Sequence, residues 1–95
     1  MTAGDKVPCR TPTGRTATNV PAWKFDACRA AILHEIGDGE VRASALARAA
    51  GRHLGAEARE GLGSLPWHVT TVRLEMEVRG ELRRLPGAPV RLRRA

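Results

Sequence analysis

The sequence predicts a mainly helical α+β domain in which three helices are followed by a C-terminal β-hairpin. Two observations carry this prediction. Apolar residues recur at helical spacing in three segments, and the last fifteen residues then alternate apolar residues with arginine around Pro86-Gly87. A third helix followed by such a hairpin is the pattern of a winged helix-turn-helix, in which the hairpin forms the wing. The apolar hairpin residues are Leu82 and Leu85 on one strand and Val90 and Leu92 on the other.

The third helix is predicted over about residues 66–79, although an alternating apolar pattern also fits a strand there. The alternating residues are Val72, Leu74, Met76 and Val78. A second, mostly apolar set has the four- and three-residue spacing of one side of a helix. It consists of Trp67, Thr71, Leu74 and Val78, with Val69, Val72 and Met76 on its flank. Ser64 as an N-cap and Gly80 as a terminating residue favour the helix.

The first helix is expected to begin near Asn19 and to end at Ile36, where Gly37 stops it. Its buried stripe is Phe25, Cys28, Ile32, Leu33 and Ile36, and Arg29 interrupts that stripe. We expect the stem of Arg29 to pack and its guanidinium to reach solvent or a nearby carboxylate such as Asp26.

The second helix is expected after Ser44, with Gly55 as its end. Its apolar positions are Leu46, Ala49, Ala50, His53 and Leu54. Residues 40–42 are predicted to form the minor strand that winged helices place between their first two helices. Residues 56–65 form a longer connection than a simple helix-turn-helix needs, so an extra helical turn is expected within it.

A chain of 95 residues makes one small domain. Residues 1–20 hold few apolar side chains and are predicted to be a flexible N-terminal tail, with the winged-helix domain over residues 21–95. No membrane-spanning run and no secretory signal is seen, so the expected location is cytoplasmic. Abundant arginine and alanine fit a bacterial coding bias.

The formal net charge of +6 is uneven, because residues 41–54 carry +3 and the last fifteen residues carry +4. A basic balance of this kind favours duplex DNA as a partner. The third helix would enter the major groove, the wing would contact phosphates, and the second helix would hold the flanking backbone. The expected DNA-binding residues are His68, Thr70, Thr71, Arg73, Arg83, Arg84, Arg91, Arg93, Arg94, Arg48 and Arg52.

Three segments carry a resemblance to a known family. They are WKFDACRAAIL at residues 23–33, WHVTTVRLEMEVRGEL at residues 67–82 and RLRR at residues 91–94. Through them, residues 11–94 resemble winged helix-turn-helix domains, and more narrowly a family of small uncharacterised bacterial proteins. The resemblance implies the architecture of DNA-binding regulators and leaves the activity open.

A protein-interaction or homodimer module is the alternative. The third helix balances Arg73 and Arg79 against Glu75 and Glu77, a net charge of zero that favours a protein partner. The other expected interaction face consists of Ala27, Ala30 and His34. An enzyme is not expected, because the three histidines lie on different predicted helices and neither cysteine has a base beside it in a motif. No cofactor or metal is expected, since two cysteines form no zinc-ligand pattern.

Overall fold

The computed structural model describes residues 5–14 and 17–95, and its architecture is α+β. Four helices and five strands lie within those ranges. In chain order they are β1 Lys6–Cys9, β2 Thr18–Pro21, α1 Ala22–Ile36, β3 Glu40–Arg42, α2 Ala43–Gly51, α3 Ala56–Leu62, α4 Leu65–Val78, β4 Leu82–Arg84 and β5 Arg91–Arg94.

The strands form two antiparallel sheets. β1 pairs with β2, and the three C-terminal strands follow the order β3-β5-β4. β5 is therefore the central strand, and its Leu92 faces Val41 on one side and Arg84 on the other. Because β3 lies between α1 and α2 in sequence, this pairing ties the C-terminal hairpin to the helical part of the chain.

The helical interpretation of residues 66–79 is confirmed. The Oγ of Ser64 accepts a hydrogen bond from the backbone N–H of Trp67 at 3.3 Å, and Gly80 takes a φ of 79° after the last turn. The buried face differs from the expected one. It consists of Val69, Val72, Glu75 and Met76, whereas Trp67 is 47% exposed. Val69, Val72 and Met76, which were expected at the edge of the buried side, therefore pack in the core.

The other helices differ from the expectation mainly at their ends. α1 begins after Pro21 and stops at Gly37, but Asn19 belongs to β2 and does not cap the helix. α2 ends at Gly51 rather than Gly55, and no side chain caps its start. Residues 56–62 form a helix of their own, so the described chain has four helices and not three. The expected extra turn is this helix.

The N-terminal segment differs from the flexible tail expected over residues 1–20. Its described part contains β1 and β2, whose hairpin buries Cys9 and Val20 in the main core. The prediction was wrong because few apolar residues were taken to mean disorder. A hairpin with a few apolar residues on one side can still pack against a core that the helices form. Residues 1–4, 15 and 16 of the expected tail lie outside the described residues.

The core is one cluster that includes residues from both sheets and from α1, α2 and α4. Ile32, Leu46, Val72, Met76 and Leu92 lie at its centre, each 1% exposed or less. Glu75 is the single charged side chain among the buried described residues. The core thus holds α4 and the three-stranded sheet in a fixed relation, which positions the surface described next.

Candidate nucleic-acid interface

The outward side of the three-stranded sheet carries most of the exposed charge of the hairpin. Side chains of facing residues in an antiparallel pair lie on the same side of the sheet. Val41, Leu82 and Leu92 face the core, so the alternating positions face solvent. We call this surface the arginine face, and its residues are Glu40, Arg42, Arg83, Arg91 and Arg93.

Arginines face each other across neighbouring strands of the arginine face. Arg83 lies opposite Arg93, and Arg42 lies opposite Arg91. Like charges in such directly facing positions destabilise a sheet. One carboxylate offsets them, since Glu40 accepts a hydrogen bond from Arg91 at 2.8 Å. Within the described residues, Arg42, Arg83 and Arg93 have no ion pair. This surface has an excess of positive charge that an anion would neutralise.

The remaining arginines of the hairpin do not belong to that surface. Arg84 points towards α4 and donates through Nε to Glu77 Oε1 at 2.8 Å. Arg94 faces Leu82 at the end of its strand and is exposed. The connecting turn, residues 85–90, contains no charged residue. The positive charge of the hairpin therefore lies on its strands and not at its tip.

The residues expected to read bases are only partly available on α4. Thr70 is exposed, and Thr71 and His68 are half-buried. The Nδ1 of His68 lies 2.7 Å from the backbone oxygen of Ser64, which holds the ring against the first turn. Arg73 corrects the expectation, because its side chain is only 13% exposed and donates to Glu77 at 2.8 Å. Glu77 thus binds two arginines that were expected to bind DNA.

Glu75, which was counted in the zero net charge of the third helix, is fully buried. Its carboxylate accepts hydrogen bonds from the backbone N–H, Nε and Nη2 of Arg10 at 2.8, 3.0 and 2.7 Å, and from Nε of Arg79 at 2.8 Å. The hydrogen bonds from the Arg10 side chain are the main reason that the pKa of Glu75 falls from 4.5 to about 2. The count of zero net charge therefore misdescribes the surface of α4.

The other two expected arginines, Arg48 on α2 and Arg52 just after it, do not belong to the arginine face. Arg48 is exposed and has no ion pair within the described residues, while Arg52 approaches Glu35 at 3.8 Å. Glu35 also lies 2.8 Å from Nε2 of His53, whose ring stacks on His34 at 4.3 Å. His53 is thus hydrogen-bonded to a carboxylate of α1 at the protein surface. Arg48 is the freer of the two cations.

One comparison with known proteins gives a match that covers almost all of the described residues. A family of unknown function, DUF6958, matches residues 6–92. The chain belongs to this family. The matched region begins at the first residue of β1, so the N-terminal hairpin of this DUF6958 protein lies inside it. Neither the comparison with curated proteins nor that with solved structures finds a match.

Other kinds of site have little support in the described part of this DUF6958 protein. No group of three or more metal-binding side chains occurs within residues 5–14 and 17–95. Both thiols are buried, and desolvation raises the pKa of Cys9 and of Cys28 to about 11, which suits packing rather than nucleophilic chemistry. None of the described helices is both long and apolar enough to cross a membrane.

Proposed function

We propose that the protein is a small winged-helix DNA-binding protein that contacts duplex DNA mainly through the phosphates. The observation that carries the proposal is the arginine face, where four arginines and one glutamate lie on one side of three strands. DNA phosphates would relieve the repulsion between Arg83 and Arg93. Neither arginine has an ion pair within the described residues, although Glu40 faces Arg93 across the strands.

The order of elements supports the winged-helix part of the proposal. β3 follows α1 and pairs with β5 of the C-terminal hairpin, as expected for the minor strand of a winged helix. α4 directly precedes the hairpin, as a recognition helix would precede its wing. The additional helix α3 lengthens the connection between α2 and α4.

Phosphate contacts would supply most of the affinity, because few groups on α4 can reach a base. Thr70 is exposed, but the guanidinium of Arg73 is held by Glu77. Phosphate contacts position a protein on the duplex without reading its sequence. We therefore expect weak sequence preference. A regulatory role in transcription would then require a second source of specificity, such as DNA shape.

Salt dependence tests the proposal. Fluorescence anisotropy with a labelled duplex would measure the dissociation constant at several salt concentrations. Replacing Arg83 and Arg93 together with alanine should lower the slope of log affinity against log salt by about 2, because each phosphate contact contributes about 0.9. Arg59→Ala is the matched control, since Arg59 is exposed on α3 and far in sequence from the sheet.

Two results would refute this function. One is the absence of binding at about 50 mM salt, where phosphate contacts are strong. The other is a double variant whose slope equals that of the wild type and of Arg59→Ala. Circular dichroism of each variant checks that the fold is retained.

Self-association through α1 and α3 is a second candidate function, favoured by an exposed tryptophan. Trp23 is 45% exposed and lies over Gly61, where a Cβ would come within 3.2 Å of the ring. Small residues continue this surface along a shallow groove, namely Ala27, Ala30, Gly55 and Ala58, with His34 at its end. Sedimentation at two protein concentrations tests it. Association that Trp23→Ala abolishes would support it, and a monomer at both concentrations would exclude it.

A further inference from the structure

The outer strand of the three-stranded sheet has main-chain groups that point to an open side. β4 is an edge strand, because only β5 pairs with it. The backbone N–H of Leu85 donates to Arg91 at 2.9 Å, and that of Ala95 donates to Glu81 at 3.1 Å. Hydrogen-bonded positions alternate along an antiparallel pair. The main-chain groups of Leu82 and Arg84 therefore face away from β5, and no residue within 5–14 or 17–95 pairs with them.

A cleft of about 660 Å³ lies along this open side. β4 forms one wall, Leu74 and Glu77 of α4 form the floor, and residues 11–13 form the opposite wall. The opposite wall is held in place by its neighbour Arg10, which donates three hydrogen bonds to the buried Glu75. A single extended segment needs about 4.8 Å between itself and the strand that it joins. The cleft thus offers room beside unpaired main chain.

The side chains around the cleft combine an apolar floor with a positive rim. Leu74 supplies the accessible apolar part, since Leu82 is buried in the core beneath β4. Arg83 has no ion pair within the described residues, and Arg84 uses only its Nε towards Glu77, so its terminal N–H groups are available. Glu77 adds little negative potential, because Arg73 and Arg84 both bind its carboxylate. Free guanidinium donors of this kind bind carboxylates through charge-assisted hydrogen bonds.

We propose that an extended acidic peptide binds in this cleft as a fourth strand beside β4. Its main chain pairs with Leu82 and Arg84, an apolar side chain packs against the half-buried Leu74, and acidic side chains meet Arg83 and Arg84. Addition of a strand to a sheet edge takes its affinity from main-chain hydrogen bonds and its specificity from alternate side chains. The two arginines also disfavour a second copy of this chain, whose own β4 would bring like charges together.

Amide hydrogen exchange followed by NMR tests the main-chain part of the proposal on the full chain. The probe is a capped synthetic peptide, Thr-Glu-Glu-Val-Thr, which offers two carboxylates and one apolar side chain in antiparallel register. Adding it should slow exchange at Leu82 and Arg84. The amide of Arg83 already points to β5 and serves as the internal control, so its exchange should not change. Unchanged exchange at Leu82 and Arg84 at saturating peptide would overturn the proposal.

Two further peptides separate strand pairing from simple charge attraction. A version N-methylated at the two amides that face β4 keeps its charge but loses its donors, so it should bind much more weakly. A version with lysine in place of glutamate should not bind. Equal binding by the methylated and parent peptides would show attraction between charges alone and would overturn the proposal.

Charge reversal at the rim tests the specificity. Arg83→Glu should weaken binding of the parent peptide on the order of 5-fold, as expected for loss and reversal of an exposed ion pair. Arg48→Glu is the control, because Arg48 is exposed on α2 and does not line the cleft. An equal effect of the two variants would contradict the assignment. If Arg83→Glu does not fold, the methylated peptide still decides the question.

Discussion

The buried carboxylate of Glu75 allows a quantitative prediction for the variant Glu75→Gln. Glutamine keeps the shape of the side chain but resembles a permanently protonated carboxyl group. It therefore removes the attraction to Arg10 and Arg79 without leaving a large cavity. Arg10 is 53% exposed at its side chain, so its released charge stays hydrated. We expect a loss of stability with no loss of fold.

The magnitude follows from the pKa of Glu75. A fall from 4.5 to about 2 corresponds to roughly 3 kcal/mol of stability, at 1.36 kcal/mol for each unit. Because the folded-state pKa is lowered, this contribution is fully present above about pH 4.5 and is lost as the pH falls towards 2. The variant lacks the contribution at every pH. The difference in unfolding free energy should thus shrink from about 3 kcal/mol at pH 7 to about 1 kcal/mol near pH 3.

Urea unfolding followed by far-UV circular dichroism measures both values. Glu60→Gln is the matched control, because Glu60 is an exposed carboxylate on α3 with no ion pair within the described residues. Its effect should stay within about 0.5 kcal/mol at either pH. The reasoning fails if Glu75→Gln is as stable as the wild type at pH 7. It also fails if the two proteins differ by the same amount at both pH values.

Three other perturbations probe the fold. Ser64→Ala removes the cap of α4 and should cost about 0.5–1 kcal/mol in urea unfolding, since the hydrogen bond of 3.3 Å is long; an unchanged midpoint would contradict the cap. Leu92→Ala at the centre of the sheet should cost about 2–5 kcal/mol, against about 0.5 kcal/mol for the exposed Val90→Ala, and similar values for the two would contradict the packing. Iodoacetamide at pH 8 should modify Cys9 and Cys28 at least about 100-fold more slowly in the folded chain than in urea, because burial raises both pKa values; fast labelling of the folded chain would disprove their burial.

Local sequence patterns were sufficient to predict the elements whose ends are marked by capping or turn residues. Ser64 and Gly80 bound the helical spacing of α4 at both ends, and these local signals outweighed the alternating pattern. The C-terminal hairpin also followed from alternating residues around a turn, whereas the strand at residues 40–42 was expected from its place between two helices. Such signals act between near neighbours in sequence, so they can be recognised without knowledge of the tertiary structure.

The candidate site was predicted less well. Arg83, Arg91 and Arg93 were expected on the hairpin and lie on one side of the sheet, but Arg42 joins them only through the pairing of β3 with β5. Arg73 and Arg84 were expected to be free, and Glu77 binds both. A charge count along α4 does not reveal which charges have partners.

By itself, the sequence determined the bounds of α4, the C-terminal hairpin and the approximate positions of α1 and α2, because capping, turn chemistry and apolar spacing operate over a few residues. Only the tertiary structure decided that the N-terminal segment is a hairpin and that Glu75 is buried. Arg10 and Glu75 are 65 positions apart, and a carboxylate enters a core only when distant donors replace its water. The physical reason is that a charge can be buried only beside partners that the fold brings together. Helix and turn formation depends mainly on residues that are near neighbours in sequence.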